Sequence, residues 1–176
     1  MELLKSSVQT FLNAMTMSDR TVYPLSSRND QDLLNLIDVY LDAVFHPAIY
    51  RGPESFLQEG WRYAQEYGSL SYQGVVLNEK KGSFASPQTI LEAGMRSLLF
   101  PDNCCRFVSG GDPEQIPELS YERFLEAHRR YYHPSNAWIS LVGSIDLDRV
   151  LQRIDAVLSA FDRKEPEAPV PLHAFK

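Results

Sequence analysis

Between Asn29 and Pro47 the apolar residues recur at the 3.6-residue period of an amphipathic α-helix, and this segment constrains the fold more than any other. Asn29 is a favoured N-cap residue, and two aspartates follow it in the first turn. The helix should end near His46, because the residue before a proline is pushed out of the α region. The pattern therefore predicts one long helix with a single apolar face.

The residues before this helix favour a β-hairpin. Segments 8–15 and 21–25 are rich in β-forming residues, and the polar residues 18–20 separate them. Pro24 cannot donate a hydrogen bond to a ladder, so we expect it at an edge, an end or a bulge of its strand.

The rest of the chain predicts further helices and one strand. Proline or a capping residue opens most of these helices, and proline or glycine follows most of them. The predicted helices run from Pro53 to about Glu66, from Gly74 to about Phe84, from Pro87 to Phe100, from Ser120 to Tyr132 and from Asp146 to Phe161. The short apolar segment 137–143 is predicted as a strand.

This order of elements predicts an α+β domain, with a mostly antiparallel sheet and helices on one of its faces. Only three strands are predicted, which is few for so many helices, so we expect part of the sheet to lie outside the chain. Residues 1–163 should form a partial domain that is incomplete at its N-terminal side. The proline-rich residues 164–176 should form a linker or a terminal strap.

The composition argues against two classes of partner. The 176 residues include 17 Lys and Arg against 23 Asp and Glu, a formal net charge of −6, whereas a nucleic-acid-binding face must be basic. No apolar stretch approaches the roughly 20 residues of a membrane-spanning helix. We therefore expect neither nucleic acid nor a membrane as a partner.

The only cysteines, Cys104 and Cys105, are adjacent in the sequence. They lack the spacing of a metal-binding or redox pair, and a disulfide between neighbours would be strained. Free thiols are typical of a reducing compartment, so we expect a cytoplasmic protein. Nucleophilic catalysis has little support, because the chain has no Gly-x-Ser-x-Gly motif.

Taken by themselves, the other polar residues are weak functional signals. The turn 109–112 could offer backbone N–H groups to an anion, but it lacks a P-loop sequence and an ordinary turn is the simpler interpretation. His128 and His133 are five residues apart, which does not place two imidazoles on one helix face toward a metal. Glu59 and Glu79, without further context, are interpreted as solvated surface carboxylates.

A set of longer segments keeps its order and spacing over nearly the whole chain. These segments are 2–7, 11–16, 19–24, 39–45, 58–62, 74–79, 109–113 and 133–137, and they include Gln58-Glu59-Gly60-Trp61, Leu77-Asn78-Glu79 and His133-Pro134-Ser135-Asn136. Read together, they resemble the insulinase/pitrilysin-type metallopeptidases, specifically the presequence-protease branch.

This resemblance implies a zinc peptidase with domains of the insulinase/mitochondrial-processing-peptidase type, arranged as two halves around a peptide chamber. In that family two histidines of an inverted motif, His-x-x-Glu-His, and a glutamate on a later helix hold the zinc. Matched by motif, Glu79 is the expected third zinc ligand, and Glu59 the carboxylate that orients a ligand or supports the water. Asn13 and Ala14 match the edge strand, residues 11–16, on which the family binds its peptide substrate by strand addition.

The chain departs from the family at the metal-binding motif. No His-x-x-Glu-His occurs between Met1 and Lys176, so the water-activating glutamate and both histidine ligands are missing. A catalytic zinc needs three protein ligands and an open position. We therefore expect the chain to be an internal or truncated piece of the first domain of a longer zinc metalloendopeptidase. It should be inactive alone and, with the remaining domains of its parent, should degrade unfolded or short peptides.

Two other interpretations stay open. This fold family includes domains without metal, so the chain would then be a non-catalytic peptide-binding or chamber-forming module. The presence of both Glu59 and Glu79 favours the enzyme over that module. In the third interpretation, Glu79 is a buried helix carboxylate paired with Lys80 or Lys81.

Overall fold

The computed structural model describes residues 8–165 of the chain. These residues divide into two compact units, which are described separately below. Unit 1 comprises residues 8–15, 21–48 and 128–165, and unit 2 comprises residues 16–20 and 49–127.

Both helices and short strands occur among the described residues. The helices are α1 (Asp30–Phe45), α2 (Glu54–Glu59), α3 (Val75–Ser83), α4 (Pro87–Leu99), α5 (Tyr121–Tyr131) and α6 (Leu147–Leu158). The strands are β1 (Gln9–Leu12), β2 (Met15–Thr16), β3 (Thr21–Val22), β4 (Leu25–Ser27), β5 (Arg62–Glu66) and β6 (Ser69–Gln73). They form separate two-stranded sheets, β1 with β4, β2 with β3 and β5 with β6.

The α+β class is therefore confirmed, as are the helices predicted at α1 and at α3 to α6. Within residues 8–165 the strands make separate two-stranded sheets instead of one sheet beneath a helix layer. A single sheet with helices on one face therefore stays a prediction. The linker predicted at residues 164–176 also stays a prediction, because residues 166–176 lie outside the described part. No helix in the described part is long and apolar enough to cross a membrane.

The predicted first hairpin is present in unit 1. β1 pairs antiparallel with β4, and Leu12 lies opposite Leu25. Pro24 lies immediately before β4, where its carbonyl accepts a hydrogen bond from the Asn13 amide at 3.1 Å. The prediction that Pro24 sits at an end of its strand is confirmed.

Helix α1 begins and ends where the sequence predicts. The side chain of Asn29 accepts a hydrogen bond from the Asp32 amide at 2.9 Å, which satisfies one of the free donors of the first turn. At the other end His46 leaves the helical conformation directly before Pro47.

The apolar faces of α1 and α6 form the core of unit 1. Leu34 and Ile37 of α1 pack on Val150 and Ile154 of α6, and all four side chains are buried. Burying a side chain of this size contributes roughly 1.5–3 kcal/mol, so this contact is the main apolar stabilisation of the unit.

The strand predicted at 137–143 is wrong for the chain as described. None of these residues is in a strand, and Trp138 is fully exposed. Only Leu141 packs against the core. A strand needs a neighbouring strand to bind its backbone groups, and none pairs with this segment within residues 8–165.

The helix predicted from Pro53 to Glu66 is also wrong beyond Glu59. Helix α2 ends there, at Gly60, and residues 62–73 form the antiparallel hairpin of β5 and β6.

Two features stabilise this second hairpin. Tyr67 and Gly68 form its two-residue turn with φ angles of 50° and 81°, the positive values that a type I′ turn requires. Tyr63 and Tyr72 lie opposite each other in the ladder, and their ring centroids are 5.2 Å apart. The Tyr63–Tyr72 contact crosses from one strand to the other, and a helical period cannot reveal such a cross-strand pair.

The hairpin returns the chain from the end of α2 to the beginning of α3. Its ladder opens at the pair Arg62 and Gln73, so Gly60 and Gly74 meet at the open end. A Cβ atom at Gly74 would lie only 2.0 Å from the carbonyl oxygen of Gly60. Glycine is therefore required at position 74, and this backbone contact determines where α3 starts relative to α2.

Aromatic contacts hold this junction within unit 2. Phe56 of α2 is buried and packs on Phe124 of α5, with ring centroids 5.6 Å apart. The indole N–H of Trp61, just after α2, donates a hydrogen bond to the Leu119 carbonyl at 2.8 Å. Leu77 of α3 is completely buried, so both helices are anchored.

We expect Gly74→Ala to lower the free energy of unfolding by about 1–3 kcal/mol, because the added methyl group collides with a backbone atom. The matched control is Gly82→Ala in the same helix, where a Cβ meets nothing within 4 Å. That change should raise the free energy of unfolding by up to about 1 kcal/mol, since alanine is the better helix former. Urea unfolding followed by far-UV circular dichroism measures both values. Equal stability of the two variants would contradict the close contact.

Candidate functional site

Glu79 lies in the middle of α3 with its side chain exposed to solvent. Two residues earlier, Leu77 is buried, so it anchors the helix on the side that faces the protein. Within residues 8–165 the Glu79 carboxylate makes no hydrogen bond or ion pair, with Lys80 or Lys81 included. The interpretation of Glu79 as a buried carboxylate paired with a neighbouring lysine is therefore wrong. Glu79 is an accessible carboxylate on a well-anchored helix.

Glu59 is the last residue of α2 and is also exposed. Its carboxylate accepts a hydrogen bond from the side-chain amide of Gln58 at 3.2 Å. The contact between Gly60 and Gly74 brings the end of α2 to the start of α3. A helix rises about 1.5 Å per residue, so Glu79 lies roughly 7 Å along the α3 axis from Gly74. Both predicted carboxylates therefore belong to one junction of unit 2.

The residues present do not complete a zinc site. A catalytic zinc requires three protein ligands, and histidine nitrogen and carboxylate oxygen are the types expected here. In the part of the chain that the structure describes, no three His, Cys, Asp or Glu side chains are grouped so that they could hold a metal ion. Glu79 supplies a suitable oxygen, but these residues alone do not fit the metal.

The described histidines have structural contacts instead. His46 is the C-cap of α1. The His128 ring stacks on Tyr132, with centroids 4.6 Å apart. The Nδ1 atom of His133 accepts a hydrogen bond from the Ser135 amide at 3.1 Å and so caps a short 3-10 helix. Each of these three histidines therefore has a contact that stabilises the fold.

Asn13 and Ala14 lie in unit 1, in the gap between β1 and β2, and both are exposed. The Asn13 amide donates to the Pro24 carbonyl, and the Asn13 carbonyl accepts from the Tyr40 hydroxyl at 3.2 Å. The Ala14 amide donates to Oδ1 of Asn13 at 2.9 Å. These three backbone groups already form hydrogen bonds within the chain. An added peptide strand would therefore have to replace these hydrogen bonds or pair with neighbouring backbone groups.

Both cysteines are free in the structure, and Cys104 has the properties of an inert thiol. Burial raises the pKa of the Cys104 thiol, and the adjacent Cys105 raises it further. A thiol with a raised pKa is protonated at neutral pH and is a poor nucleophile, which agrees with the sequence-based expectation.

A cleft of about 410 Å³ in unit 2 was not predicted from the sequence. Six of its nine lining residues are polar, and we call it the polar cleft. It is lined by Lys80 of α3, by Thr89, Glu92, Ala93 and Arg96 of α4, and by Met17, Ser18, Val108 and Ser109. The α4 members recur every three or four residues, so a helical period applied to polar residues would have grouped them.

Comparison with known proteins shows which protein family this chain is similar to. Residues 118–175 match the family model described as the peptidase M16 inactive domain. The chain is 49% identical over 172 residues to a Clostridium perfringens protein named HypA, which covers 96% of this chain and 18% of that protein. It is 48% identical over 163 residues to presequence protease 1, chloroplastic/mitochondrial, of Arabidopsis thaliana, with 92% of this chain and 15% of that protein covered.

A third relative is the mitochondrial presequence protease of Danio rerio, which is 42% identical over 176 residues, 97% of this chain and 17% of that protein. The chain thus spans less than a fifth of the length of these relatives. The matched regions cover nearly all of the chain. By these similarities the chain is insulinase-type and presequence-protease-like.

Proposed function

We propose that this chain is part of a longer zinc-dependent metalloendopeptidase that degrades unfolded or short peptides. The observation that carries the proposal is the junction of α2 and α3, which leaves Glu59 and Glu79 exposed on one unit. The relatives named presequence protease support a peptidase as the parent.

In this proposal Glu79 is the third zinc ligand, and Glu59 supports a ligand or the catalytic water. The described residues do not complete a metal site, so in this proposal the histidine ligands and the catalytic base come from the part of the same first domain that lies upstream of this chain in the parent. The chain of 176 residues is then inactive by itself.

Exposed apolar side chains support the view that this chain works inside a larger protein. Leu91 and Leu98 of α4 are 63% and 82% exposed, and Trp138 and Val142 are 100% and 93% exposed. Exposed apolar side chains in such number are typical of surfaces that other parts of a protein cover. The proposed partners are peptide substrates and the other domains of the parent, with neither nucleic acid nor a membrane among them.

We also propose that the protein is cytoplasmic, because its two cysteines are free thiols, which are typical of a reducing compartment. The names of two of the relatives refer to mitochondria or chloroplasts, which is said of those proteins.

The first test is Glu79→Gln in the longest reading frame that contains this chain. We expect zinc content to fall well below one atom per protein and turnover of an unstructured peptide to fall by more than about 100-fold, because a ligand is lost. Metal analysis and a fluorogenic peptide assay measure the two effects. Glu126→Gln, an exposed helix glutamate in the same unit, is the control and should change neither value. Full zinc content and full turnover in Glu79→Gln would exclude Glu79 as a ligand.

The second test is Glu59→Gln in the same longer protein. A residue that orients a ligand or the water should lower activity by about 10–100-fold when it is changed, while most of the zinc stays bound. The same metal analysis and peptide assay apply. An unchanged kcat/KM would show that Glu59 is an ordinary surface carboxylate.

The third test concerns strand addition through residues 11–16. Peptides with single N-methyl groups on the backbone cannot donate at the methylated position, so each methyl group that falls in the added strand should lower kcat/KM by about 2–10-fold. Methyl groups beyond the bound segment are the control and should have no effect. Uniform turnover of all N-methylated peptides would contradict backbone pairing.

A non-catalytic peptide-binding or chamber-forming module is the second candidate. Two observations favour it, namely the match of residues 118–175 to a family model described as an inactive domain and the incomplete metal ligands of the described residues. The Glu79→Gln experiment separates the two candidates, since a non-catalytic module loses neither zinc nor turnover. Stoichiometric zinc and peptide hydrolysis by the isolated chain would contradict both.

A further inference from the structure

The polar cleft of unit 2 contains two cations without a carboxylate partner. Lys80 and Arg96 line it, and neither forms an ion pair within residues 8–165. The third charged group of the cleft, Glu92, accepts a hydrogen bond from the Gln88 side chain at 2.9 Å. Two cations and one carboxylate leave a local charge of 2 − 1 = +1, in a chain whose net charge is −6. The cleft is therefore a positive site on an acidic protein.

The position of Lys80 depends on a glycine. A Cβ atom at Gly110 would lie 2.2 Å from Cε of Lys80, so the lysine side chain lies directly over the backbone of the loop. Gly110 also has a φ angle of 81°, which side-chain-bearing residues rarely adopt. The positive φ angle is the reason that glycine is favoured at position 110, and the flexible end of the Lys80 side chain occupies the space that a Cβ atom would take.

Helix α4 presents its polar side to the cleft and its apolar side to solvent. Thr89 and Ala93 are its half-buried residues that line the cleft. Leu91 and Leu98, on the other side, are largely exposed. A surface helix normally turns its apolar side inward, so α4 reverses the usual order. The polar side chains of α4 therefore line the cleft, and Arg96 among them stays exposed to solvent.

Hydroxyl groups add hydrogen-bond donors to this charge. Ser18 and Thr89 line the cleft and make no hydrogen bond through their side chains within the described residues. Ser109 also lines it, but its hydroxyl already donates to the Thr16 carbonyl at 2.8 Å. The free hydroxyls and the two cations together match the several acceptor sites of an oxyanion.

We propose that the polar cleft binds the carboxylate of a peptide, with Arg96 and Lys80 as its principal ligands. The local charge of +1 matches a carboxylate, which carries one negative charge, better than a phosphate dianion. A guanidinium binds a carboxylate through two parallel hydrogen bonds, and an ammonium adds a point charge. The inference rests on the proposed function only for the peptide nature of the ligand, because this binding requires neither zinc nor turnover.

Binding is tested by nuclear magnetic resonance titration of the full 176-residue chain with short peptides. Three peptides share one sequence: one has a single Glu and blocked ends, the second has Gln in its place, and the third has Gln and a free C-terminus. We expect saturable shifts of the backbone amides around Gly110 and Arg96 with a carboxylate peptide and none with the blocked Gln peptide. Binding of the first or of the third peptide identifies a side chain or a C-terminus as the source.

The cleft variants are Lys80→Gln and Arg96→Gln, each of which should weaken binding about 10-fold. Gly110→Ala displaces Lys80 and should weaken binding to a similar extent, although Lys80 itself is unchanged. Lys81→Gln is the control, since this neighbouring lysine is exposed and does not line the cleft, and it should bind like the unchanged chain. Circular dichroism confirms that each variant is folded.

Three results would overturn the proposal. These are equal binding of the blocked Gln peptide, an equal loss of affinity in Lys81→Gln, and no binding of either carboxylate peptide, whether or not inorganic phosphate binds. The outcome is independent of the peptidase proposal, because a chelator is present throughout the titration. Failure of the Glu79→Gln test would leave this site intact, and absence of carboxylate binding would leave the peptidase proposal intact.

Discussion

The backbone contact between Gly60 and Gly74 is the constraint on which the candidate site depends. It closes the β5–β6 hairpin at its base and joins the last turn of α2 to the first turn of α3. Buried Phe56 and Leu77 then anchor the two helices, which leaves Glu59 and Glu79 on the solvent side. Two carboxylates that are 20 residues apart in sequence thus share one rigid junction, and their accessibility follows from the packing of their neighbours.

The described part of the candidate site has carboxylates but no histidine. The Glu59 and Glu79 carboxylates are exposed, whereas the described histidines cap helices or stack on aromatic rings. A catalytic zinc requires three protein ligands, which the described residues alone do not supply. The similarity to presequence proteases and the span of less than a fifth of these relatives' length support the proposal that the site is divided between this chain and other parts of a longer protein. The polar cleft is a separate feature that needs no metal.

Local signals predicted much of the fold. The Asn29 cap, the 3.6-residue period and the proline after His46 located α1, and similar signals located α3 to α6. The β5–β6 hairpin was missed because Tyr67-Gly68 is not a common turn sequence and because the Tyr63–Tyr72 contact crosses the ladder. The segment 137–143 has the composition of a strand, but a strand forms only where a neighbour pairs with it. Glu59 and Glu79 were identified by resemblance, since as isolated residues both read as surface carboxylates.

The proposal that depends most on this junction is that Glu79 binds zinc in a longer peptidase. Anomalous scattering at the zinc edge, measured on crystals of the longest reading frame that contains this chain, tests it directly. We expect a zinc peak about 2.0–2.2 Å from a carboxylate oxygen of Glu79, the usual zinc–oxygen distance in proteins. A fully occupied zinc bound by other residues, with Glu79 beyond bonding distance, would contradict it.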